Sequence, residues 1–499
     1  VNKDSQQTGK SLSELLAIRR EKLQAIRAMD VRAYEYEFQR THTTTEIIQQ
    51  FDEITEKVVV RTAGRIMAVR KMGRASFCHM QDESGRIQIY VQENSVGSRG
   101  YELFGLLDIG DIIGIVGKVF RTRTGEVTIL VDELHLLAKN IRPIPIVKEK
   151  DGQVFDAFTD KEQRYRQRYL DLMVNPEVRE VFRTRSRIIQ WTRDFLNERG
   201  FLEVDTPILQ PIYGGANARP FKTFYNALER DFYLRIAVEL YLKRLIIGGF
   251  EKVYEIGKNF RNEGLDRSHN PEFTLLEFYQ TYVDYNYMMD FVEQYFRFLC
   301  AKLEKSKLPF GEYEIDFSQP FPRRKMFDLI REYAGEDVAN YSESELKVLC
   351  QKKGIELKPD DNYGKFIELL FDNFVEPNLI QPTFVIDYPK AISPLAKSKR
   401  DGSVAIVERF ELYIAGHEFV NAFSELNDPI DQRERLEQQN RLRESGDEEA
   451  QTMDEDFVTA MEFGMPPTGG VGIGIDRVVM LFTNQVSIKD VILFPQMRT

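Results

Sequence analysis

The chain has 499 residues, 42% hydrophobic and 29% charged, which is ordinary for a globular protein and enough for two or three domains with a large core. No run of about 18 apolar residues occurs, the polar N-terminus VNKDSQQTGK lacks the apolar centre of a secretory signal, and Cys78, Cys300 and Cys350 are too scattered for a metal-type pair. These features argue against a membrane span and a structural zinc, and they predict a cytoplasmic protein. The net charge of −11 conceals segregation: residues 57–86 hold seven Lys/Arg against two acids, whereas 444–456 hold seven acids and no base, so a basic nucleic-acid-facing module is compatible with an acidic chain.

Residues 11–38 read as a helix, with Leu12, Leu15, Leu16, Ile18 and Leu23 among charged residues; it serves either as a solvated brace or as a contact for a polyanion. Residues 1–56 form a helical extension. Over 57–145 the pattern changes to five short strands, KVVVRTAGRIMAVR, RASFCHM, RIQIYVQ, DIIGIVGKVF and EVTILVDELHLL, with a longer link (92–110) between the third and fourth. That arrangement predicts a small all-β barrel of the OB type. If Ser76, Cys78 and Met80 and then Ile87, Ile89 and Val91 face its core, Phe77, His79, Gln88 and Tyr90 face outward beside Arg70 and Arg74. Exposed aromatics among arginines form a stacking platform for unstacked bases.

The Pro-containing link 141–152 closes that domain, and 146–499 read as one long domain. Its first helix spans 177–199 and stops at Gly200. The strand FLEVDTPILQPI follows, interrupted by Pro207 and Pro211; helix and strand either pack on a partner subunit or dock on their own domain. FYLRIAVELYLKRLIIGGF is a strand entering a helix with Glu239 near its start.

The densest stretch is 252–282. Val253, Glu255, Gly257, Asn259 and Arg261 share one face of a strand, and Phe273, Leu275, Glu277 and Tyr279 one face of the next. A charged hairpin with a solvated tip is the plain alternative. Against it, Glu277 lies inside an apolar strand, where a carboxylate needs a partner. The loop also holds Arg261, Glu263, Arg267, His269 and Asn270, and guanidinium groups grip phosphate with paired bonds. The pattern predicts a nucleotide beside a cationic substrate. Residues 284–350 show helical patterning, and 383–397 a buried strand and turn.

In VERFELYIAGHEFVNAFSELND (407–428), Asn421, Phe423 and Glu425 alternate on one face, and Glu411 and Glu418 flank a turn at Gly416. Two carboxylates so close call for a cation, and magnesium with phosphate oxygens is the usual guest. Strict alternation puts Glu418 opposite Asn421, so their joint use requires a bulge. GGVGIGIDRVVMLFT (469–483) has the wrong spacing for a dinucleotide fold. Its glycines let a ligand lie against backbone, with Arg477 at the helix start.

Helix, strand and Pro207, then FRNEG with RSHNPEF, then GIGIDR, resemble the three signature motifs of class II aminoacyl-tRNA synthetases. With RIAVELYLKR, NAFSELND and IKDVILFP, residues 55–499 are similar to lysyl-tRNA synthetases. The resemblance implies an α+β fold, in which an antiparallel sheet flanked by helices follows the OB barrel, and a homodimer. It implies lysine, ATP, several Mg²⁺ ions and tRNA-Lys as ligands. Arg261 and Arg477 would be catalytic. Glu263, His269, Asn270, Phe273 and Glu411 would join them on ATP, with Phe273 and Arg477 enclosing adenine. Glu411 and Glu418 would bind metal. Gly215, Glu239, Arg261, Glu277, Tyr279, Asn421, Phe423 and Glu425 would line the lysine pocket, and Arg70, Phe77, Gln88 and Glu126 would meet the anticodon. Three positions depart from the family pattern: Asn217 for a small residue, Val238 for proline and Ala422 for glycine, the last expected to narrow the pocket. The alternatives are the aspartate or asparagine branch, whose substrate needs a cation where Glu277 and Glu425 stand, and a non-catalytic RNA-binding paralogue.

Overall fold

The computed structural model describes residues 11–53, 58–145, 148–150, 153–155, 158–358, 361–403, 405–444 and 450–498. Two compact units divide between Asp160 and Lys161, downstream of the 145/146 boundary read from the link.

In the first unit, β1 (Val59–Met72), β2 (Ala75–Gln81), β3 (Arg86–Gln92), β4 (Ile112–Arg121) and β5 (Val127–Ala138) close a barrel in the order β1-β2-β3-β5-β4. Ser76, Cys78, Met80, Ile87, Ile89 and Val91 are all buried, as the alternation requires. The 92–110 link contains a helix, Glu93–Leu106. The N-terminal helix spans Leu12–Ala28, not 11–38. Ser11 and Glu14 form a capping box at its start, and Met29 and Asp30, the latter at φ 54, turn the chain away at its end. From there the backbone runs beside β5, with Lys139 N–H donating to Ala33 O at 3.0 Å and Glu35 N–H to Leu137 O at 2.9 Å. Ile26, Ala33 and Ile47 join the barrel core, so the extension is part of this unit.

The second unit holds an eight-stranded sheet. Its strands are β6 (Leu202–Glu203), β7 (Lys252–Phe260), β8 (Glu272–Thr281), β9 (Arg323–Lys325), β10 (Thr383–Ile386), β11 (Arg409–Ile414), β12 (His417–Ser424) and β13 (Thr468–Gly474). They lie in the order β9-β10-β11-β12-β13-β8-β7-β6, antiparallel except for the outermost pair at each edge. FLEVDTPILQPI is split by Pro207: β6 pairs with β7, whereas Leu209–Gln210 joins a separate three-stranded sheet. Part of the helical pattern in 284–350 is instead a hairpin, Lys307–Phe310 with Tyr313–Asp316.

Alternation divides the labour of the sheet. On one face Tyr254, Leu276, Phe278, Val420, Ala422, Val471 and Ile473 pack against the helices Pro176–Asn197, Tyr285–Lys302 and Ile475–Phe482. Ala422 therefore points into this core, and the expectation that it narrows the pocket is corrected by the period of the strand. The other face carries the polar set.

Candidate active site

β7, β8, β13 and β12 build this face. Glu255 lies opposite Glu277 and Asn259 opposite Phe273 in the β7–β8 ladder. Gly470 stands between Tyr279 and Phe423, and Gly472 between Glu277 and Asn421. These glycines form the floor of the pocket. A Cβ on Gly470 would lie 2.0 Å from Glu425 Oε1 and 2.4 Å from the Tyr279 ring.

Glu277 is 5% exposed. Tyr279 Oη donates to its Oε2 at 2.9 Å, and the Val238 N–H reaches its Oε1 at 3.4 Å, a donor that proline at 238 would lack. Burial, with Glu239 adding to it, pushes Glu277 up to about 8. Glu239 opens the helix Glu239–Ile247, which packs on Val253 and Tyr279. Gly215, at φ 85, passes so close that a Cβ there would lie 3.0 Å from Glu239 Cβ. Asn217 Oδ1 accepts from Gln451 Nε2 at 3.4 Å.

Sequence reasoning missed Lys243. Its fully buried Nζ donates to Glu239 and ion-pairs with Glu425. The signal was present as Glu239 and Lys243 four apart on an apolar helix, a spacing that solvated helices also use. Glu425 is 1% exposed, and its Oε2 is in direct ion-pair contact with Lys243 Nζ. Burial raises Glu239 and Glu425.

Beside this pocket, Arg261 is half-buried. Its Nε donates to Ile236 O at 3.4 Å, and its guanidinium sits 5.0 Å from the Phe273 ring centroid. Burial lowers its pKa, while Glu263, Glu418 and Glu277 oppose that effect. The loop between β7 and β8 is pinned by Asn262 N–H to Arg219 O at 2.7 Å and by Asp266, which accepts from His269 Nδ1 at 2.8 Å. Glu263 and His269 are exposed on it. Asn270 is turned inward, donating to Glu272 O and accepting from Gln496 N–H.

The bulge required by the sequence is present. Glu411 pairs with Asn421 and Leu412 with Val420, but Tyr413 pairs with Glu418, leaving Phe419 as the extra residue. Glu418 is thereby brought to the Asn421 face. Both oxygens of Glu411 are engaged: Tyr388 and Tyr413 donate to Oε2 at 2.8 and 2.6 Å, and Arg409 and Asn421 to Oε1. Arg409, half-buried on β11, also escaped the sequence reading. Glu418 is the more open carboxylate, with Arg477 Nη1 3.7 Å from its Oε2 and bonded to its carbonyl. Desolvation and Glu411 raise it. No group of three metal-type side chains exists among the described residues. Two neighbouring carboxylates, one still open, suit a hard cation that keeps water and shares phosphate oxygens. Asp476 fixes the helix that carries Arg477, accepting from Thr274 N–H at 2.6 Å and from Arg185 at 2.6 Å.

In the barrel, Phe77 pairs with Arg70 on one side and Tyr90 on the other, with ring centroids of Phe77 and Tyr90 4.7 Å apart. Gln88 Nε2 donates to Glu126 at 2.7 Å, and His79 meets the same carboxylate at 3.1 Å. Arg70, Phe77, Gln88 and Glu126 thus share the outer surface of one barrel wall.

Residues 160–498 match the family described as tRNA synthetases class II (D, K and N), and 60–137 match an OB-fold nucleic acid binding domain. The lysine–tRNA ligase of Pelotomaculum thermopropionicum is 53% identical over 98% of this chain and 95% of that protein. Those of Thermoanaerobacter pseudethanolicus and Porphyromonas gingivalis are 52% and 51% identical, each over 98% of this chain and over 96% and 86% of their own lengths. A sheet whose polar face joins Arg261, Glu277, Asn421 and Arg477, preceded by a five-stranded barrel, places this chain in the class II tRNA synthetase family of the D, K and N group.

Proposed function

We propose that the chain ligates L-lysine to tRNA-Lys. The observation that carries this is three buried carboxylates, Glu239, Glu277 and Glu425, around one amino-acid pocket. An aspartate or asparagine side chain would meet them with no cation, whereas an ammonium offers three donors and a positive charge. Arg261 holds the substrate carboxylate against the α-phosphate of ATP, a placement that replaces a protein nucleophile. One carboxylate oxygen attacks phosphorus, the bond to the bridging oxygen breaks, and pyrophosphate leaves with that electron pair. Arg261 and Arg477 take up the developing charge, and Phe273 and Arg477 hold the base. Glu263, His269 and Asn270 border the phosphates. Mg²⁺ held by Glu411 and Glu418 would screen the same oxygens. A hydroxyl of the terminal tRNA ribose then attacks the acyl carbon, and AMP departs. The barrel wall around Phe77 contacts the anticodon bases. The exposed apolar side chains Leu202, Ile208, Leu209, Ile212, Phe224 and Leu228 support a homodimer formed through that region.

The test is exchange of labelled pyrophosphate into ATP, which is expected to need both lysine and Mg²⁺. Exchange supported by aspartate and not by lysine would overturn the assignment. A folded protein without any exchange would make the chain a non-catalytic relative.

A further inference from the structure

We propose that Lys243 is a resident counter-ion that sets the residual charge of the amino-acid pocket to that of a substrate bearing two ammonium groups. This deepens the lysine reading and rests on it. Lys243 Nζ, 0% exposed at the side chain, bridges Glu239 on its own helix and Glu425 after β12. Phe423 lies with its ring centroid 5.4 Å from Nζ, and Arg409 acts on Glu239 from β11. From β8 come Glu277 and Tyr279, which bond to each other. Arg409 is ion-paired with Glu411, and Arg261, which also faces Glu277, is matched by the carboxylate of the substrate, so the three carboxylates, once ionised, less one ammonium leave two negative charges. Free lysine brings two ammonium groups, on its α-carbon and on its side chain. An amino acid with one ammonium would leave a carboxylate buried and unpaired, and a pocket without Lys243 would leave one unpaired even with lysine bound.

A buried ammonium is costly to keep for packing alone, because a methionine would fill the space without desolvating a charge. Burial works against the charged form of Lys243, yet Glu239 and Glu425 outweigh it and hold its pKa above the ordinary lysine value. The cation therefore stays fixed while lysine's ammonium groups displace protons from the carboxylates to solvent.

Without the cation, one carboxylate is left without a partner even when lysine is bound, and Glu425→Gln in the same chain removes that carboxylate. In pyrophosphate exchange at about pH 7, Lys243→Met is expected to raise the lysine KM about a hundredfold or more, with the ATP KM within about threefold of the unaltered protein, and Lys243→Met/Glu425→Gln is expected to recover about tenfold or more of that loss. Lys243→Arg, which keeps the charge, is expected to stay within about tenfold of the original lysine KM. A lysine KM in Lys243→Met that Glu425→Gln does not lower overturns the counter-ion. Absence of lysine-dependent exchange in the unaltered chain overturns the substrate reading, and the proposal with it. If Lys243→Met does not fold, Lys243→Met/Glu425→Gln, which removes one charge of each sign, is expected to fold. Failure of that pair as well makes Lys243 a packing residue and ends the proposal.

Discussion

Glu277 holds its proton up to about pH 8, because burial and then Glu239 disfavour the ionised form. Between the ordinary carboxylate value and that pH the folded chain keeps a proton that the unfolded chain has lost, so stability contributed by this group falls as pH rises through the window. An ammonium ligand reverses the preference and expels the proton. The lysine KM is therefore expected to fall as pH rises towards 8, by up to about tenfold per pH unit, and to level off above it. Glu277→Gln is expected to flatten that profile and to raise the lysine KM, at a cost of about 3–5 kcal/mol, while the ATP KM moves little. An unchanged slope in Glu277→Gln would assign the proton to another group, and a change confined to the ATP KM would move Glu277 to the nucleotide site. The N–H of Val238 is part of this setting, since it touches Glu277 Oε1 where a proline nitrogen has nothing to donate.

At the scale of elements, β2 and β3 set Phe77, Tyr90 and Gln88 on one wall, and β1 adds Arg70. Stacking of a base on an aromatic ring contributes about 1–3 kcal/mol. Phe77→Ala and Arg70→Ala are each expected to weaken tRNA charging by a factor of about 5 to 150 while leaving lysine-dependent pyrophosphate exchange nearly intact. Equal losses in both assays would mean that these side chains serve folding. The barrel and the polar face of the sheet were legible because a period of two assigns every side chain to a face once a few aliphatic positions are placed. The bulge at Phe419 could be demanded from the same rule, because Glu418 and Asn421 differ by an odd number. What the sequence hid were partnerships between distant segments. Lys243 meets Glu425 and Arg409 meets Ser393 only after the sheet has formed, and each looks locally like a solvated charge. The N-terminal helix is shorter than its pattern predicts for a related reason: pairing with β5 claims residues 33–35, and helical propensity alone does not reveal a competing ladder.

Across the whole molecule, the barrel cluster around Ile89 and Ile129 and the sheet cluster around Phe278 and Val471 are separate cores. Thermal unfolding is expected to depart from a single two-state transition, with lysine and ATP together raising only the component that belongs to residues 161–499. One calorimetric peak whose van't Hoff and measured enthalpies agree would mean that the two cores melt as one. The strand order has a further consequence for synthesis. β13 sits inside the sheet, between β12 and β8, yet it is the last of these eight strands in chain order. A growing polypeptide already carries Glu277 and Tyr279 on one half-sheet and Asn421 and Phe423 on another before anything exists to join them. Until residues 468–474 leave the ribosome, both halves present an open edge, the kind of surface that pairs with the wrong strand or with a chaperone. The barrel is finished long before, so its RNA-facing wall is made early, and the floor of the amino-acid pocket is completed only when residues 468–474 emerge.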